Sequence, residues 1–125
     1  MKPYLTNTSG AKINGVVLTF GNVLTLRCYV PNGTAECLIY ACRADFVESS
    51  PTGESARVAA LHGQELLNNG SIQGKTGAGA WQNIAGFSNA LSLGAITAGN
   101  YEEFEIRITE DSGKCAFAIA VGAEL

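Results

Sequence analysis

Between Leu91 and Ile108 the chain reads LSLGAITAGNYEEFEIRI, the pattern of a turn feeding a half-buried antiparallel strand. Gly94 and Gly99 bracket a tight corner. From Glu103 onward Phe104, Ile106 and Ile108 alternate with Glu103, Glu105 and Arg107, the period of two that turns one strand face to a core and the other to water. Slipping this strand by one residue would bury two carboxylates and a guanidinium in place of apolar side chains worth roughly 1.5–3 kcal/mol each. The register is therefore strongly specified.

The same patterning recurs along the chain. GVVLTF (15–20) and NVLTLRCYV (22–30) are rich in β-branched and apolar residues, with Leu24, Leu26, Cys28 and Val30 on one parity, and both predict strands. ECLIYACRA (36–44) predicts a third, and the intervening PNGT predicts a hairpin. Two registers compete there. A two-residue Asn32-Gly33 loop sets Cys28 opposite Cys37 and Leu26 opposite Ile39, whereas a Pro31-Asn32-Gly33 loop with Gly33 left-handed sets Cys28 opposite Glu36. Pro31 lacks the N–H that the shorter loop would use at its closing pair, which favours the longer one.

Residues 45–57 are polar and contain Pro51 and Gly53, a surface-loop composition. ARVAALHGQELLNNG (56–70) mixes helix formers with Gly63, so a short irregular helical segment is expected near 56–68, ended by Asn69 and Gly70. SIQGKT (71–76), a short strand around Trp81 and Ile84 after a glycine-rich turn, and CAFAIAVGA (115–123) after a turn at 110–114 complete the reading. About seven or eight short strands separated by turns predict an all-β fold, an antiparallel sandwich. Residues 1–125 are expected to form one domain, with 1–12 as a candidate extended N-terminal arm.

Two of these strands lack a polar face. Cys115, Phe117, Ile119 and Val121 make a core stripe, yet the opposite parity is Ala116, Ala118 and Ala120, and CLIYAC (37–42) is apolar throughout. A sandwich strand normally keeps one face for water, so these must be covered, either by the 45–90 region folding back or by another subunit. Ala116, Ala118, Ala120, Leu38 and Tyr40 are accordingly the candidate interface residues.

Composition narrows the function classes. The 46% hydrophobic and 15% charged content, with net charge -3, provides no lysine and arginine cluster of the kind that displaces counterions, so no nucleic-acid partner is expected. MKPYLTNTSG has no apolar leader core and no run approaches the roughly 18 apolar residues of a membrane span, so a soluble protein with no membrane partner is expected.

Candidate chemistry is sparse. Cys28, Cys37, Cys42 and Cys115 lack the paired C-x2-C spacing of zinc sites and read as buried free thiols. His62 is the only histidine, with nothing to locate a nucleophile or an orienting group. Asp45, Glu48 and Glu54 match no defined calcium loop, Glu103 and Glu105 read as a solvated strand face rather than a glycosidase pair, and GKTGAG (74–79) is not a phosphate loop. No catalytic, cofactor or metal residue is assigned. Trp81 and Phe87, near Asn and Gln side chains, form a candidate platform for a sugar face, against the simpler reading of Trp81 as a core anchor.

The corner and strand at 91–108, with its Leu-Gly-x-Ile-x-x-Gly turn, resembles a feature of immunoglobulin-like sandwiches in bacterial and phage surface proteins. Together with HGQELLNNGSIQGKTG (62–77), Trp81 and the alanine-rich closing strand, it resembles small structural proteins of tailed-phage virions over roughly half the chain. The resemblance implies an immunoglobulin-like sandwich and a non-enzymatic virion protein, a head decoration or cement subunit or else a tail component, assembled in the host cytoplasm. Its implied partners are other copies of itself, as a homo-oligomer, and a major capsid or tail protein; no cofactor is implied. The alternative is a glycan- or surface-binding sandwich module of a tail, baseplate or host-attachment accessory. Such folds specify architecture more than role.

Overall fold

A period of two, wherever it persists for four residues or more, commits the backbone to strands that each bury one face. The computed structural model describes residues 2–13, 15–43, 72–84, 86–109 and 114–122. Among them the regular elements are all strands: β1 (Tyr4–Asn7), β2 (Gly15–Thr19), β3 (Leu24–Val30), β4 (Ala35–Arg43), β5 (Ile72–Thr76), β6 (Gln82–Ile84), β7 (Gly86–Ile96), β8 (Asn100–Ile108) and β9 (Lys114–Val121). They form two antiparallel sheets, β1-β3-β8-β5-β6 and β2-β9-β4-β7, packed face to face as the expected β-sandwich. The helical segment expected near 56–68 and the loop at 45–57 lie outside the described residues.

The core lies between the sheets. Leu26, Ile72, Ile84, Phe104 and Ile106 of the first sheet meet Ile39, Leu91, Phe117 and Ile119 of the second, all buried. The strand at 103–108 behaves as its alternation predicts. Phe104, Ile106 and Ile108 are buried, while Glu103 stands opposite Arg27 and Glu105 opposite Lys75, with ion-pair distances of 3.0 and 3.6 Å. These exposed pairs contribute little energy each but agree with the register.

Three expectations are corrected. Neither hairpin register at PNGT exists, because β3 and β4 belong to different sheets: Cys28 lies opposite Leu5 and Glu102, and Cys37 opposite Gly94. The reason is parity. Leu26, Cys28 and Val30 on β3 and Cys37, Ile39 and Ala41 on β4 are two apolar stripes; side by side in one sheet they would share a face, whereas in opposed sheets they cover each other. Residues 31–34, with Gly33 at φ 65°, carry the chain across.

Second, Gly94 is not a corner. β7 runs through it, and its φ of 72° falls beside a register shift between Cys37 and Leu38, a bulge in the β4–β7 pairing. The turn comes later, where Asn100 N–H donates to Thr97 C=O at 3.1 Å and Gly99, at φ 81°, donates to Val30 C=O at 2.7 Å. Third, the described residues hold nine strands against the expected seven or eight, the additions being β1, which is short, and β7, whose glycines suggest turns.

Residues 2–13, which include most of the candidate arm, lie along β3. Leu5 is buried in the core opposite Cys28, and Asn7 organises the following turn by accepting bonds at Oδ1 from Ser9 N–H, Ser9 Oγ–H and Ala11 N–H. The chain then doubles back, Lys12 bridging Thr6 and Ile13 N–H donating to Leu5 C=O at 3.0 Å.

One glycine sets the separation of the layers. A Cβ on Gly74 would stand 2.8 Å from Ile84 Cδ1 and 2.9 Å from Leu91 Cδ2, two buried side chains. Gly74→Ala is expected to destabilise the fold by roughly 1–3 kcal/mol through overpacking, read as a lower urea midpoint; an unchanged midpoint would show that the core can yield there.

Candidate functional site

The outer face of the first sheet is built from cross-strand pairs. Tyr4 lies opposite Tyr29 and Tyr29 opposite Tyr101, giving a row of rings with centroids 5.7 and 4.9 Å apart. Cations lie over this row, Lys12 4.6 Å from the Tyr4 centroid and Arg27 4.6 Å from that of Tyr101. Hydrogen bonding to Glu103 is the main cause of the raised pKa of Arg27.

At the other end of β8 the same logic assembles a tighter cluster. Arg107 lies opposite Gln73 on β5, and Gln73 opposite Asn83 on β6. Arg107 donates from Nε and Nη2 to Gln73 Oε1 at 3.1 and 3.0 Å, and Gln73 Nε2 donates to Asn83 Oδ1 at 3.0 Å. Trp81, just before β6, has the Arg107 guanidinium 4.0 Å and the Lys75 ammonium 5.4 Å from its ring centroid. Trp81 is half-buried and stands outside the core cluster, so it is not the core anchor that the simpler reading expects. Phe87 belongs to β7, in the other sheet; the groups gathered around Trp81 are Arg107, Lys75, Gln73 and Asn83.

The second sheet offers a different surface. Ala116, Ala118 and Ala120 occupy the positions alternating with buried Phe117 and Ile119, and the register sets them opposite Val17, Gly15 with Cys42, and Tyr40 respectively. Leu38 is half-buried, while Tyr40 is 9% exposed and so already covered within one chain. Sequence reasoning missed three exposed apolar residues: Val17, Phe20 and Val23 are 37%, 44% and 49% exposed. They sit on edge strand β2 and the turn after it, within a run from Lys12 to Arg27 that contains no charge, a signal present in the sequence.

Inside the sandwich, Cys28 and Cys37 are free and fully buried, and the Cys37 thiol donates to Ala35 C=O at 3.7 Å. Burial pushes both thiols above their ordinary range, most strongly Cys28, which Cys37 raises further; such thiols are poor nucleophiles. Among the described residues no three His, Cys, Asp or Glu side chains gather to hold a metal ion. His62, Asp45, Glu48 and Glu54 lie outside the described residues. No family model, curated protein or solved structure matches the chain.

The thiols give a signed pH dependence. Above about pH 9 an unfolded chain loses the thiol protons that the folded core retains, so stability falls as pH rises through this window. Urea midpoints should decline from about pH 8 to about pH 10, and less steeply in a Cys28→Ala/Cys37→Ala variant; equal slopes would contradict this assignment. Trp81 supplies a second test. Arg107→Ala should increase acrylamide quenching of this single tryptophan, whereas unchanged quenching would mean that the guanidinium does not shield the ring.

Proposed function

We propose that this chain is a non-enzymatic structural protein of a tailed-phage particle, a head decoration or cement subunit that works through contacts with other copies of itself and with a major capsid or tail protein. The observation that carries this reading is the exposure of Val17, Phe20 and Val23 on edge strand β2 and the turn after it, a segment with no charge of its own. Register continues that edge through Ala116 and Ala118 toward the Ala120–Tyr40 pair. An exposed apolar strip, here with Lys114 of β9 opposite Thr19 at one end, is a liability for an isolated subunit and a low desolvation cost for a packed one. Contacts of more than about 1,000 Å² in total and closed symmetry are what such a strip would serve.

A second reading is favoured by the Trp81 cluster. A half-buried indole beside the amides of Gln73 and Asn83 suits a glycan-binding module on a tail, baseplate or host-attachment accessory.

Light scattering of the purified chain, followed by co-sedimentation with undecorated cognate phage particles, tests the first reading. Self-association and pelleting are expected, and Val17→Lys with Phe20→Ser should abolish both while leaving thermal unfolding within a few degrees of the parent. A monomer that never co-sediments would remove the assembly role.

A further inference from the structure

Four cations, Lys12, Arg27, Lys75 and Arg107, lie over aromatic rings on the outer face of the first sheet of a chain whose net charge is -3. Arg27 is matched by Glu103 and Lys75 by Glu105. Arg107 is different: among the described residues it has no carboxylate partner, and its contacts are a ring and an amide oxygen. A guanidinium held at one face and one edge by neutral groups keeps its full charge and a fixed plane, with N–H groups left over for a ligand.

We propose that the cluster of Trp81, Arg107, Gln73 and Asn83 binds a carboxylated saccharide chain, with Arg107 pairing to the sugar carboxylate. This rests on the carbohydrate reading above and is independent of the assembly role. Each group has a distinct part. The indole supplies apolar area for the C–H face of a pyranose ring, the amides of Gln73 and Asn83 offer donors and acceptors to hydroxyls, and the planar fork of Arg107 suits a carboxylate better than an ammonium would.

Charge distribution favours a ligand held through one carboxylate over a nucleic acid held through many phosphates. Glu103 and Glu105 alternate with the cations along the face, so a phosphate backbone would meet carboxylates wherever it met Arg27 or Lys75. Binding through counterion release needs a run of unmatched cations. Among the described residues the cations of this face without a carboxylate are Lys12, over Tyr4, and Arg107, and only Arg107 stands beside the indole.

The experiment is titration of the full chain with oligogalacturonate and oligo-alginate, with methyl-esterified oligogalacturonate, dextran and oligo-dT as comparison arms. Emission of the only tryptophan and calorimetry are the readouts. At least one acidic oligosaccharide should shift Trp81 emission saturably and bind at least tenfold more tightly than the ester. Arg107→Gln should erase that preference with thermal unfolding unchanged; Arg107→Lys, which keeps the charge and loses the fork, should retain only part of it. Equal binding of acid and ester overturns the carboxylate assignment while leaving the carbohydrate reading in place. Binding of no saccharide overturns both, and tighter binding of oligo-dT overturns the choice of ligand class.

Discussion

The fold depends on two apolar stripes that must cover one another. On one side stand Leu26, Cys28, Val30, Phe104 and Ile106; on the other Cys37, Ile39, Ala41, Phe117 and Ile119. Neither sheet is stable in water with its stripe exposed, because each large side chain is worth roughly 1.5–3 kcal/mol only when buried. Other features follow from this facing. Residues 31–34 have to cross rather than turn back, a Cβ on Gly74 would press on Ile84 and Leu91, and two thiols, one from each sheet, are buried in the shared core.

Burying one parity leaves the other to define the surfaces, and the two sheets use theirs differently. The first carries rings, guanidinium groups and carboxylates that largely satisfy one another across strands. The second presents alanine positions, half-buried Leu38 and the exposed strip from Val17 to Val23. The proposed saccharide contact lies on the first face and the proposed subunit contact on the second. The two proposed activities therefore use opposite sides of the sandwich and do not compete for residues.

Local alternation carried most of the architecture. β2, β3, β4, β5 and β9 lie within one or two residues of where parity places them, and Phe104, Ile106 and Ile108 are buried as their spacing requires. Parity says which face a residue takes, not which strand lies beside it, and Pro31-Asn32-Gly33 suits a hairpin and an inter-sheet crossing equally. A left-handed glycine is similarly ambiguous: Gly99 makes a turn and Gly94 a bulge, from the same residue type five positions apart. Trp81 was legible as a candidate, but its companions were not, since Arg107 reaches Gln73 across 34 positions of sequence. The exposed strip was written in the charge-free run after Lys12, yet apolar residues at a surface and in a core look alike until a fold assigns them.

The doubled-back start of the chain has its own consequence. Leu5 sits in the core, and a single carboxamide, that of Asn7, gathers three donors to return residues 11–13 along β1. That margin of the first sheet is thereby hemmed by the same polypeptide that forms it. A segment so committed cannot serve as a tether thrown to a neighbour without uncovering Cys28 in its own domain. In the proposed assembly this segment would therefore meet a neighbour as fixed surface, matched by shape, and not as an exchanged strand.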